Sequence, residues 1–235
     1  MPELENRMNA TASLPTGSRI TQTLGHLALH YRAVEDGPRA ARLFEKLGFV
    51  RVQDIPLPNG SRFYQFAVDP NAPLEGDGII YLSRASDQQL ALLAAVHSAL
   101  RVGQPDQHPA VGAMRSAQVS DPEVTFHVGI LMKSLEQLEK LVVDIRDSAQ
   151  HDPDFIGRIN IVANRARRGD AQIDARMDTS PVFGSTPRQC YGKYGCQAFI
   201  ETDLLTSGPL GENLVIELDY VFPGHPQHMF NKTEI

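Results

Sequence analysis

One order of elements occurs twice in this chain, and that repeat restricts the fold more than any other feature. The first copy opens with LGHLALHYRAVEDGPRAARLFEKLGFVRV (24–52) and the second with VTFHVGILMKSLEQLEKLVVDIRDS (124–148). Each reads as a strand holding a histidine, a short link and an amphipathic helix. Leu27, Leu29 and Tyr31 alternate with His26, Ala28 and His30. Val124, Phe126, Val128 and Ile130 alternate with Thr125, His127, Gly129 and Leu131. The histidine of each copy thus falls on the less apolar face of its strand. Ala40, Leu43, Phe44 and Leu47 keep a 3.6-residue period, as do Leu135, Leu138, Leu141, Val142 and Ile145. Gly48 is a helix stop.

Three strands complete the first copy, at about 49–55, 62–68 and 79–83, with Pro58-Asn59-Gly60 as a hairpin turn. An extra helix is expected over about 87–101. The second copy continues with strands near 158–164, 195–202 and 213–221. The expected organisation is an arm at 1–20, a first module at 21–102 and a linker rich in Pro, Gly and Ala at 103–122. A second module follows at 123–222, with a long insert at 165–193, and a tail at 223–235. Each module reads as βαβββ. An insert of that length is expected to act as a lid or binding loop.

Apolar residues make up 42% of the 235 and charged residues 21%, which places the chain among folded globular proteins. The net charge is −6, from 28 acidic and 22 basic residues. That balance gives no pull toward nucleic acid or anionic lipid, so a small-molecule substrate is the expected partner. No apolar run nears the roughly 18 residues that span a bilayer. The polar start lacks a signal peptide's apolar stretch. Two cysteines, Cys190 and Cys196, are too few for a disulfide framework, so a cytoplasmic location is expected.

The doubled pattern resembles the vicinal-oxygen-chelate superfamily, which includes glyoxalase I, fosfomycin-resistance proteins, methylmalonyl-CoA epimerase and extradiol dioxygenases. The residues carrying the resemblance are His26 in LGHLAL, Leu47-Gly48-Phe49 after the helix, His127 in TFHVGI and Glu217 in NLVIELDY. It covers roughly 20–85 and 123–222. It implies an α+β fold in which two βαβββ modules pair into a cup-shaped mixed sheet with helices outside. It also implies one divalent-metal site built from His26, His127 and Glu217.

The first-module position matching Glu217 is Tyr81. Relatives of the glyoxalase and epimerase type draw four ligands from the two first and two last strands. A phenol at one of them leaves two histidines and a carboxylate, the facial triad of non-heme Fe(II) enzymes. Three ligands leave vacant positions for a chelating substrate. The reading is therefore an Fe(II) ring-cleavage dioxygenase acting on a small, oxygenated, aromatic substrate with dioxygen; Mn(II) or Zn(II) are the alternative ions. His30 and Tyr81 are the expected catalytic residues beside the metal. Arg167, Arg188 and Asp219 are the expected substrate contacts, with Arg165 and Arg168 on the same insert.

The resemblance also points the other way in places. Extradiol relatives carry a further histidine and tyrosine, which would fall near Asp77-Gly78 and Phe199 and are absent there. Non-oxidative metalloenzymes (isomerases, lyases, transferases) and metal-free ligand-binding resistance proteins share the cup. A homodimer stays open. His225 and His228 read as solvated, His97 and His108 as structural, and the cysteines have no further zinc ligands beside them.

Overall fold

The computed structural model describes residues 24–71, 78–188 and 192–225. The arm, Asp77, Cys190 and His228 lie outside the described residues. The first module runs β1 (His26–Tyr31), α1 (Asp36–Lys46), β2 (Val50–Pro56), β3 (Arg62–Ala67) and β4 (Ile79–Arg84). Two helices follow, α2 (Asp87–Leu100) and α3 (Pro109–Ser120), with a 3-10 turn at Pro122–Val124. The second module runs β5 (His127–Leu131), α4 (Leu135–His151), β6 (Ile159–Asn164), α5 (Ala171–Asp178), β7 (Gly195–Ser207) and β8 (Glu212–Val221).

The α+β expectation holds. Eight strands form one curled, unclosed mixed sheet in the order β2-β3-β4-β1-β7-β8-β5, with β6 on β7. Inside each module the first strand lies parallel to the last, β1 to β4 and β5 to β8. The joint between modules is small. β1 meets β7 at His30↔Thr206, beyond the irregularity between Thr202 and Thr206 that frees this end of β7 from β6. β5 therefore lies at the outer edge of the sheet, with β7 and β8 between it and β1.

The apolar stripes of α1 and α4 create the core. Leu43 and Phe44 from α1, and Leu138, Val142 and Ile145 from α4, are fully buried with Leu29, Tyr31, Ile200, Leu214, Ile216 and Leu218 of the sheet. Each fully buried Leu, Ile or Phe contributes about 1.5–3 kcal/mol. Gly48, at φ +89°, closes α1 in the left-handed conformation. Gly37 has a different task. A Cβ there would lie 2.7 Å from the Tyr31 ring, whose hydroxyl donates to Arg62 O at 2.6 Å and accepts from Arg62 N at 2.9 Å.

Ion pairs tie the modules together. Arg158 reaches Asp36 at 2.9 Å and Asp203 at 2.6 Å, while Arg39 reaches Asp154 at 3.2 Å.

Two stretches differ from the sequence reading. The expected linker at 103–122 contains α3, with Pro109 in its first turn and His108 Nδ1 accepting from Ala110 N at 3.2 Å. Of the insert at 165–193, the described residues 165–188 pack on the helical layer. Ile173, Met177, Val182 and Phe183 are buried in the core on the α4 side, and Arg176 clamps Glu139 at 2.7 Å. Apolar residues scattered at that spacing anchor the segment to the helical layer, away from the open face.

Candidate functional site

The register gives the two modules corresponding positions. In β1 and β4, Ala28 lies beside Tyr81, two residues after His26. In β5 and β8, Gly129 lies beside Glu217, two residues after His127. Alternation puts all four named side chains on the sheet face opposite the core.

On the first module this face is aromatic and open. The His26 and Tyr81 rings lie 4.7 Å apart, and Phe63 lies 5.4 Å from Tyr81. His26 is exposed. His30 Nδ1 lies 3.3 Å from the Ser83 hydroxyl. His30 and Tyr81, the expected catalytic pair, thus share a face with His26.

On the second module the corresponding positions hold a buried polar cluster. His127 Nε2 lies 3.3 Å from Glu217, and its Nδ1 lies 2.9 Å from Thr125 O. Both ring nitrogens face oxygen acceptors. Gln197, opposite Asp219 in the β7–β8 ladder, donates through Nε2 to Glu217 at 2.6 Å and to Glu123 at 2.8 Å. Its Oε1 is buried with no hydrogen-bond partner among the described residues. Burial pushes Asp219 up to about 8; the adjacent Glu217 carboxylate acts in the same direction by charge and by accepting a hydrogen bond from the neutral acid. Burial also raises Glu123, reinforced by Glu217 and opposed by the Gln197 amide.

The expected metal set is divided by the strand order. His127 and Glu217 meet, while His26 stands apart. β1 and β8 both run antiparallel to β7, where His30, Thr206 and Asn213 are level. His26 lies four residues before that level and Glu217 four residues after it, roughly 26 Å apart along the strands. Bringing them to one ion would need β1 beside β5. Among the described residues, no group of three or more His, Cys, Asp or Glu side chains is arranged to hold a metal ion.

Of the expected substrate contacts, Asp219 lies in this cluster. Arg188 pairs with Asp174 and Asp178, each at 2.8 Å, which fixes the insert internally. Arg167 belongs to the same segment, its backbone N–H donating to Gly192 O.

Next to the cluster is a cavity of about 520 Å³, within the usual range of ligand sites. Val162, Phe199 and Val215 form its floor, and α3 contributes Val111, Met114 and Gln118 above it. Phe199 lies directly opposite Glu217, and Val215 lies two residues before Glu217 on the same face, about 7 Å away. His97 Nε2 donates to Leu210 O at 2.6 Å, which holds α2 against the β7–β8 turn and so supports the far wall. Gln118 Nε2 is buried and has no hydrogen-bond partner among the described residues.

The sequence reading passed over Glu123, Gln197 and the cavity. The period-2 polar positions Gln197 and Glu201 on β7, and Asn160 and Asn164 on β6, were the available signal, since polar groups there face away from the core.

No family model and no curated protein matches the chain. Among solved structures it is similar to a protein described as belonging to the glyoxalase superfamily, from Ralstonia eutropha JMP134. The identity is 15%, over 84% of this chain and 72% of that one, with a TM-score of 0.21. At that score the backbones do not superpose closely, so fold and site stand on this chain's own geometry. No described helix is long and apolar enough to cross a membrane.

Proposed function

We propose that the protein binds a small amphipathic molecule between α3 and the open face of the second module. The cavity carries this reading: its apolar floor supplies contact area, and the Gln118 amide, whose Nε2 has no partner among the described residues, supplies orientation. The test is binding of Nile red, a neutral apolar fluorophore. Wild-type protein should bind it, and Val162→Trp, which fills the floor from a half-exposed position, should lose it about tenfold or more. Equal binding by both would sink the assignment.

A second reading is favoured by Asp219. A neutral acid paired with a carboxylate, one residue pair beyond the cavity floor, is suited to general acid–base chemistry. On this reading the ligand is a substrate for isomerisation or elimination. Glu217, faced by Phe199, takes up a proton from a ligand atom reaching past Val215, and Asp219 supplies one.

The Fe(II) ring-cleavage reading adds a metal ion and a third donor to His127 and Glu217. Metal analysis separates these readings. One equivalent of Fe, Mn or Zn in purified protein, lost together in His26→Ala and His127→Ala, would restore the ring-cleavage reading over the other two.

A further inference from the structure

We infer that the cavity under α3 selects a small zwitterion with an apolar body, one carrying an ammonium and a carboxylate. The inference rests on the cavity being a ligand site. Its grounds are the charges that line it. Glu201 on β7 is pinned from both sides, by Asn213 Nδ2 at 3.0 Å and Asn160 Nδ2 at 3.4 Å. Neither asparagine brings a counter-charge. Arg115 on α3 and Arg32, just after β1, line the same cavity. Glu212 lines the cavity too, its Oε2 accepting from Leu210 N at 3.1 Å; none of Glu201, Arg115 and Arg32 has an ion-pair partner among the described residues.

That is unusual in this molecule. Arg158, Arg176 and Arg188 each hold two carboxylates. Opposite charges facing one cavity would ordinarily pair with each other. Here the asparagines hold Glu201 to the floor strands, while the arginines enter from the roof helix and from the end of β1. The separation is spanned by a ligand whose own charges are opposite and fixed. Each Glu201 oxygen accepts from one asparagine and keeps a second lone pair, to which an ammonium donates. A carboxylate accepts from an arginine, by two parallel hydrogen bonds where the fork is aligned. Val162, Phe199 and Met114 then receive the apolar part. A ligand with one charge leaves the other side of the cavity unmatched, and an unmatched partly buried charge is the costlier state.

The test is calorimetric titration of the full chain with L-phenylalanine, phenethylamine and 3-phenylpropanoate, which share a ring and differ in charge. L-phenylalanine should bind at least about tenfold more tightly than either of the others, the scale of one charge-assisted contact. Glu201→Gln keeps the shape and should weaken L-phenylalanine and phenethylamine about tenfold, leaving 3-phenylpropanoate unchanged. Arg115→Gln, at an exposed helix position, should weaken L-phenylalanine and 3-phenylpropanoate and spare phenethylamine. A singly charged compound binding as tightly as L-phenylalanine would overturn the inference, as would indifference to both substitutions. If none of the three binds while Nile red still does and is expelled by Val162→Trp, the zwitterion assignment falls and the cavity reading stands. If Nile red fails as well, both fall.

Discussion

The two modules place corresponding residues at corresponding points of the same strand pairing, yet their open faces differ in chemistry. His26 and Tyr81 make an exposed aromatic contact, with ring centroids 4.7 Å apart. His127 and Glu217 make an ion-pair contact at 3.3 Å, backed by Gln197, Glu123 and Asp219. A phenol in place of a carboxylate removes the anion that a second acid could share a proton with. The other difference is the roof. α3 and the 3-10 turn after it lie along the second module's face, and among the described residues no helix covers His26 in the first. Burial then decides the chemistry, since a carboxylate that is buried with a like neighbour is pushed toward its neutral form. The backbone pattern supplies positions, and the side chains with their cover supply function.

The comparison is broken most strongly through pH. Asp219, raised from 3.8 to about 8, binds its proton more tightly in the folded chain than in the unfolded one. Such a group stabilises fully below its unfolded value, and the contribution is lost as pH rises through the folded value. Stability should therefore fall between about pH 5 and about pH 8, by up to about 1.4 kcal/mol per pH unit. Glu123, raised as well, acts with the same sign. Asp219→Asn should flatten most of that slope in urea titrations across the range. A slope unchanged in the variant would mean that the second module's face is no more titratable than the first's.

A smaller effect tests whether the modules are comparable parts of one folding unit. Arg158→Met leaves Asp36, buried at the joint, with only the longer 3.6 Å contact to Arg39. The expected loss is ~2 kcal/mol, the cost of stranding a partly screened charge. Urea unfolding should stay a single transition at lower midpoint. Two separated transitions would show that the modules unfold independently and that the joint at His30↔Thr206 does not couple them.

The repeat was legible in the sequence because each strand and helix carried its own period. Leu29 and Tyr31 face the core as the alternation required, and Leu43, Phe44, Leu138 and Ile145 fill it. The order of the strands was not legible. Nothing in β1 or β5 specifies which neighbour each takes, so the expected meeting of His26 with His127 depended on a pairing that the chain's backbone resolves differently. α3 was hidden for another reason. PAVGAMRSAQVS has little amphipathic contrast, and Val111 is its buried residue. Its place is set by the cavity beneath it, a tertiary feature. Arg188 was misread because a cation in a long polar segment looks free until Asp174 and Asp178 fold back beside it.

The smallest expected effect sharpens the comparison at its centre, the position shared by Tyr81 and Glu217. In the sequence reading Tyr81 is a catalytic residue beside the metal. In the structure the ring does the work. It packs between His26 and Phe63, and the hydroxyl has no hydrogen-bond partner among the described residues. Tyr81→Phe preserves both ring contacts and removes a group that meets solvent on a half-buried face. Stability should change by less than about 0.5 kcal/mol, as for surface substitutions away from special features. Affinity for any cavity ligand should be unchanged, because Tyr81 is not among the residues lining the cavity. Glu217→Gln, the same position in the other module, should by contrast weaken the contact to His127 and alter the pH–stability profile, since it removes the anion that holds Asp219 in its neutral form. Measuring both variants by urea unfolding at about pH 5 and about pH 8 gives the contrast directly. A Tyr81→Phe effect as large as that of Glu217→Gln would place the first module's face in the functional site and would return His26 and His30 to it.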